Sequence, residues 1–196
     1  VTGPIVIAPI VEGHGEVRAV RDLVTRIAAE VCQTWVDVAQ PFRLDAGKMR
    51  KPEELHKAIR VQAARVRDRG GVLVLRDGDD SDIRCPVELA RALQPPPALV
   101  PVAVEVVIAK HEYESWFLAA VESLRDHQAI RHDATSPDDP ESARDAKKAR
   151  GARMSDSYRE TLHQPKFSAL MDLHAAAAKS RSFRRMMHAV ELLAMK

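Results

Sequence analysis

Cysteine is scarce: Cys32 and Cys85 are the two in a chain of 196 residues. They are far apart, and no CxxC pair points to zinc. No apolar run approaches the length of a membrane span. The first such run, from Ile5 to Val11, lacks a basic preface and is interrupted by Pro9, so it does not resemble a signal peptide. A cytoplasmic protein without a membrane partner is the expectation. No internal repeat is present. Excess charge is also small: a net +2 does not announce nucleic-acid binding, so a basic surface would have to come from local clustering. Arginine outnumbers lysine, a bias that suits phosphate forks.

What is present is a composition of 45% hydrophobic and 30% charged residues, that of a soluble globular protein. Its length suits one α/β domain with a helical appendage. The chain is organised around Val72-Leu73-Val74-Leu75-Arg76-Asp77-Gly78-Asp79-Asp80. Branched apolar residues in such a run suit a strand buried on both faces, in the middle of a parallel sheet. Carboxylates at its end then lie at the sheet rim, where open α/β folds keep their ligands. Asp77 and Asp79 share one face of an ideal strand. Crowded like charges are costly unless a cation offsets them, and Mg²⁺ or Mn²⁺ prefers oxygen ligands. The plainer alternative is an acidic loop with Asp82 as a helix cap.

A second acidic turn follows the first apolar run: Glu12-Gly13-His14-Gly15-Glu16. If the two strands are parallel neighbours, both acidic turns lie on one edge of the sheet. His14 is a metal or phosphate candidate, weighed against the ordinary solvation of a turn histidine.

Along the chain, apolar residues at three- and four-residue steps predict a helix over 16–32. A second strand is expected over 35–44, nearer an edge, then a polar loop over 45–51. Pro52 opens a helix expected to run to Arg69, with Gly70-Gly71 ending it. A short helix is expected over 86–93 and a fourth strand over 100–109. That strand ends in another polar rim, Lys110-His111-Glu112-Tyr113-Glu114. An amphipathic helix with an aromatic core-facing side follows from Tyr113. Residues 131–156 are polar and suggest a long mobile loop. The loop contains the densest basic cluster, with Lys147, Lys148, Arg150 and Arg153, either solvated charge or a phosphate-gripping arm. Two helices are expected over 167–196. The organisation is thus a domain over 1–128, a basic loop over 129–157 and C-terminal helices over 158–196 packed on the same domain.

EGxxE after a first strand and DxD after a later one resemble the Toprim domain of topoisomerases, primases and OLD-type nucleases. The likeness covers about the first 110 residues. The chain also resembles small bacterial Toprim-like proteins often encoded beside an ABC-type ATPase in phage-defence operons. VEGHGE, LRDGDD with Cys85-Pro86, HEYESWFLA from His111 and RSFRRM from Arg181 carry that second likeness. It implies a Rossmann-like, mainly parallel four-stranded sheet flanked by helices, with a C-terminal helical extension. It also implies a nuclease, held in check by a partner ATPase and released on infection. A homo-oligomer stays open.

By the same resemblance, Glu12 is the general acid/base or a metal ligand, and Asp77 and Asp79 hold a divalent ion. Glu16 helps hold a second ion, and Asp80 is an extra ligand candidate. Glu112 or Glu114 could close the site, with Lys110 and His14 as further candidates. Two cations can stabilise the attacking and leaving oxygens of a phosphodiester displacement. A topoisomerase would need a nucleophilic tyrosine on another domain; Tyr113 and Tyr158 are the only tyrosines here, so a hydrolytic nuclease fits better. The rivals are a non-catalytic Toprim module that binds metal and docks on an ATPase, and a receiver-like or phosphatase domain, since DxD also serves phosphoryl transfer. A haloacid-dehalogenase-like phosphatase would carry its DxD on the first strand.

Overall fold

A computed structural model describes residues 3–78, 85–142, 149 and 151–196. All strands of its single sheet run parallel. At the centre lie β1 (Ile5–Val11) and β4 (Arg69–Asp77), paired from Ile5 opposite Arg69 to Ile10 opposite Val74. β5 (Ala103–Ala109) forms the edge beyond β4. Two short strands, β2 (Asp37–Val38) and β3 (Phe42–Arg43), both pair with the other side of β1.

Strand periodicity sends side chains to alternate faces. Ile5, Ile7, Val11, Leu73, Leu75 and Val107 share a core with α1 (Glu16–Cys32), α6 (Glu160–Leu170) and α8 (Arg181–Ala194). Ile10, Val72, Val74, Val106 and Ile108 face the opposite core, with Met49 of α2 (Ala46–Met49) and Leu55 and Ile59 of α3 (Pro52–Ala63). The result is an α/β protein whose parallel sheet has helices on both sides. α4 (Pro86–Leu93) packs on β5, and α5 (Glu114–Ala119) runs into a short 3₁₀ turn over Val121–Leu124. Tyr113, Trp116 and Phe117 turn into the core, where Trp116 meets Phe183 and Phe117 meets Phe167 edge-on. Among the described residues, no helix is long and apolar enough to cross a membrane.

The sheet has five strands rather than the expected four, because the segment 35–44 breaks in two. Pro41 cannot donate to a ladder, which confines it to an edge or a break. Across the gap, the buried Gln62 amide donates to Pro9 O at 2.6 Å and Gln40 O at 3.1 Å, bridging the interrupted pairing. The helix expected to reach Arg69 stops at Ala63, and Gly70-Gly71 belongs to β4 instead of ending α3. Gly70 has φ +109, and a Cβ there would run into the backbone of Val6. A Cβ on Gly71 would meet the Ala103 carbonyl and lie 2.7 Å from Leu193 Cδ2. These glycines let neighbouring strands and α8 approach closely.

The expected polar loop over 45–51 contains α2, capped by Asp45 accepting from Lys48 N at 3.1 Å. The C-terminal segment forms three helices rather than two, beginning earlier, at Glu160. Between α6 and α8, Asp172 caps the short α7 (Leu173–Lys179) by accepting from Ala175 N. The loop expected to be mobile is tied down where it is described. Glu141 is buried and accepts from Ser180 Oγ at 2.6 Å and Ser182 N at 2.7 Å, at the start of α8. Ile130 and Met154 form an antiparallel bridge across its base.

A substitution contrast tests the β1–β4 approach. Gly70→Ala is expected to lower Tm by roughly 5 °C or more, from a strained φ plus a backbone clash. Gly151→Ala, where nothing lies within 4 Å of the added methyl, is expected to leave Tm nearly unchanged. Equal melting of Gly70→Ala and the parent would contradict the close approach.

Candidate functional site

Because β1 and β4 are parallel neighbours, both acidic turns emerge from the same edge of the sheet. Glu12 follows the last residue of β1, and Asp77 is the last residue of β4. In the first turn, Glu16 opens α1 and folds its side chain back, accepting from Glu12 N at 3.1 Å. A Cβ on Gly13 would stand 2.9 Å from Glu16 Oε1, so glycine there leaves room for this fold-back. A Cβ on Gly15 would collide with Gln164 and approach the Glu160 carbonyl at 2.9 Å, so glycine lets α6 seat against the turn.

β5 and the start of α5 close the second side. Gly78 N donates to Ala109 O at 2.9 Å and His111 O at 2.7 Å, locking the end of β4 to the end of β5. Asp77 Oδ1 accepts from Tyr113 N at 2.8 Å, which brings the first turn of α5 alongside. Glu114 is buried there, and its Oε1 accepts from Gln164 Nε2 at 3.2 Å. The Tyr113 hydroxyl pairs with Ser168 Oγ at 2.8 Å, a second tie to α6.

Four carboxylates thus share one region: Glu12, Glu16, Asp77 and Glu114. Burial, then the nearby Glu12 charge, pushes Glu16 up to about 8, with Glu114 adding to it. Asp77 is likewise raised well above the usual carboxylate range, first by desolvation and then by Glu16, Glu114 and Glu12. The donated Tyr113 N–H only partly opposes this. Beneath lies Arg76, 1% exposed, whose Nε is 3.8 Å from Glu12 Oε2. Burial and the surrounding acids also push the Tyr113 phenol far up, so it stays neutral.

Of the other candidates, Glu112 is buried just before Tyr113, and His14 is exposed in the first turn. Lys110 follows β5 and lines a separate groove with Arg181 and Arg185 of α8. Asp79 and Asp80 lie outside the described residues, as do Lys147, Lys148 and Arg150. Arg153 donates from Nε to Thr135 O at 2.5 Å and from Nη1 to Ala149 O at 2.7 Å, so its guanidinium helps hold the loop. Arg76, Gln164 and Ser168 escape sequence reasoning as site residues. A lone arginine within the apolar run of β4 was the signal for the first. The polar α6 residues carry none, since α6 joins the site only through the fold.

Among the described residues, no group of three or more His, Cys, Asp or Glu side chains is arranged to hold a metal ion. The donor set at the two turns is nevertheless all carboxylate oxygen, the kind that hard divalent cations take. The raised proton affinities of Glu16 and Asp77 come from burial first and then from a mutual repulsion that such a cation would relieve.

Fold and site together define a parallel α/β protein with a carboxylate cluster at the C-terminal edge of its sheet. Residues 11–191 match a family described as a domain of unknown function (DUF4276), and the chain belongs to that family. No curated protein and no solved structure matches the chain.

The burial of Glu16 has a pH signature. With its folded value near 8 against an ordinary 4.5, the residue leaves stability intact below about pH 4.5. Stability is then lost as the pH rises towards 8, where the folded acid finally ionises. In EDTA, Glu16→Gln is expected to raise Tm at pH 9 by roughly 5 °C, and far less at pH 4. An equal shift at both values would contradict a proton held at Glu16.

Proposed function

We propose that the chain is a divalent-metal-dependent nuclease with a Toprim-like fold. The observation that carries the reading is the gathering of Glu12, Glu16, Asp77 and Glu114 at one sheet edge, where burial and then mutual repulsion leave Glu16 and Asp77 reluctant to ionise. Stability alone does not account for keeping such a cluster, whereas perturbed carboxylates gathered at a sheet rim suit catalysis. Glu12, Glu16, Asp77 and the neighbouring Asp79 and Asp80 would hold one or two Mg²⁺ or Mn²⁺ ions. Bound there, the metal would supply charge stabilisation for phosphodiester hydrolysis.

The residues themselves supply the rest. Glu12 keeps 21% of its side chain exposed, so it can exchange a proton with water at the reacting phosphate. Arg76 beneath it holds the carboxylate in place. Tyr113 N and Gln164 orient Asp77 and Glu114 from the protein side. Lys147, Lys148 and Arg150 would grip phosphates, next in sequence to Arg153, which helps to fasten the loop. In this reading the protein is cytoplasmic, acts on DNA or RNA, and works in anti-phage defence beside an ABC-type ATPase.

Purified protein, with its partner if required, is expected to cleave nucleic acid with Mg²⁺ or Mn²⁺ and to stop in EDTA. Glu12→Ala should lower the cleavage rate by roughly 100-fold or more while the protein stays folded. Asp77→Asn should remove the rise in Tm that Mg²⁺ gives the parent. Metal-independent cleavage, or full activity in Glu12→Ala, would contradict the proposal. Metal-dependent stabilisation without any cleavage would favour a non-catalytic module that docks on the ATPase.

A further inference from the structure

An open groove of about 1000 Å³ lies between α1 and the β2 edge of the sheet. Trp35 stands on its rim and is 72% exposed, whereas the chain's other tryptophan, Trp116, is fully buried. An indole left in water is an unused apolar surface. This one is also oriented, because its Nε1 donates to Asp37 Oδ1 at 3.3 Å.

Arg18 and Arg21 line the same groove from α1 and are exposed. Neither side chain has a hydrogen bond or ion pair among the described residues. Arg26, one turn further, is different: it turns inward and donates to Ser168 O at 2.7 Å and Met171 O at 2.8 Å. The acids in the groove are Asp22 and Asp37, and the second is engaged by the indole. Arg18 and Arg21 belong to the first two turns of a helix that begins at Glu16, so the groove starts beside the carboxylate cluster.

We propose that this groove leads a single strand of nucleic acid to the acidic site, with a base stacked on Trp35 and phosphates held by Arg18 and Arg21. The proposal rests on the nuclease reading above and narrows its substrate to unpaired strands. Every base has a π face to stack on an indole, but in a duplex those faces are already covered by their neighbours. A free guanidinium forms paired hydrogen bonds with phosphate oxygens, which offsets the cost of removing its water. A purely apolar partner would have to strip both guanidinium groups without such bonds. Asp22, too close for a phosphate to be welcome, can accept from the exocyclic amines of a base.

The test is a titration with labelled 12-nucleotide DNA and RNA single strands in EDTA, read by anisotropy, beside the tryptophan emission of the protein. Because Trp116 is buried, quenching would report Trp35. The parent is expected to bind single strands with quenching, and to bind the matching duplex at least several-fold more weakly. Trp35→Ala should weaken single-strand binding roughly 10-fold, in keeping with the loss of one stacked base. Replacing Arg18 and Arg21 with Gln should lower the log–log salt slope by roughly 1.4, as two phosphate contacts are lost.

Parent-like affinity in both the Trp35 and the arginine variants would overturn the proposal, and so would a duplex bound as tightly as a single strand. A parent that binds no oligonucleotide would also overturn it, in favour of a protein partner on the same indole. Cleavage unaffected by Trp35→Ala would remove the groove but leave the nuclease reading. Strand binding without cleavage would leave the groove and remove the nuclease.

Discussion

The parallel pairing of β1 with β4 is the constraint on which the rest of the structure depends. It sends both strand ends to the same edge and sets Glu12 above Arg76 and near Asp77. Gly70 lets β4 close on Val6 of β1, and Gly71 lets it close on Ala103 of β5. The same register fixes β5, since Asp77 stands opposite Ala109 and Gly78 N–H binds the carbonyls beyond it. Everything acidic at the site hangs from those strand ends.

The protein surrounds this edge in a way that resists its own charge. α6 closes one side through Gln164 and Ser168, and α5 closes another through the Tyr113 N–H and the buried Glu114. Each tie uses a neutral donor or hydroxyl. The buried guanidinium of Arg76 is 3.8 Å from Glu12 and offsets only part of the negative charge. Burial first, and then this remaining repulsion, gives Glu16 and Asp77 their raised proton affinity. It is the physical link between the fold and the metal-dependent chemistry proposed for it.

Much of this edge was legible in the sequence, because it depends on local patterns. The apolar runs before Glu12 and Asp77 are strands, and α1 and α4 have their expected bounds. What escaped depends on distant partners. The break at Pro41 is repaired by Gln62, a residue of α3 with nothing in its neighbourhood to mark it. Gly70-Gly71 looks like a helix stop until the neighbouring strand is known to need their missing side chains. The polarity of the long loop suggested mobility, but Glu141 satisfies its own charge on the α8 N-terminus, which no local pattern reveals. Trp35 likewise fell within an expected strand, and only the fold leaves it in water beside Arg18 and Arg21.

The account turns on whether the carboxylates at the β1 and β4 ends gather a divalent cation. A crystal structure from Mn²⁺-soaked crystals, with anomalous scattering to locate the ion, tests this most directly. The predicted result is one or two Mn²⁺ peaks between the Glu12–Glu16 turn and Asp77, with carboxylate oxygens at roughly 2.0–2.4 Å. Saturating Mn²⁺ that binds only elsewhere, and leaves these carboxylates unligated, would contradict it.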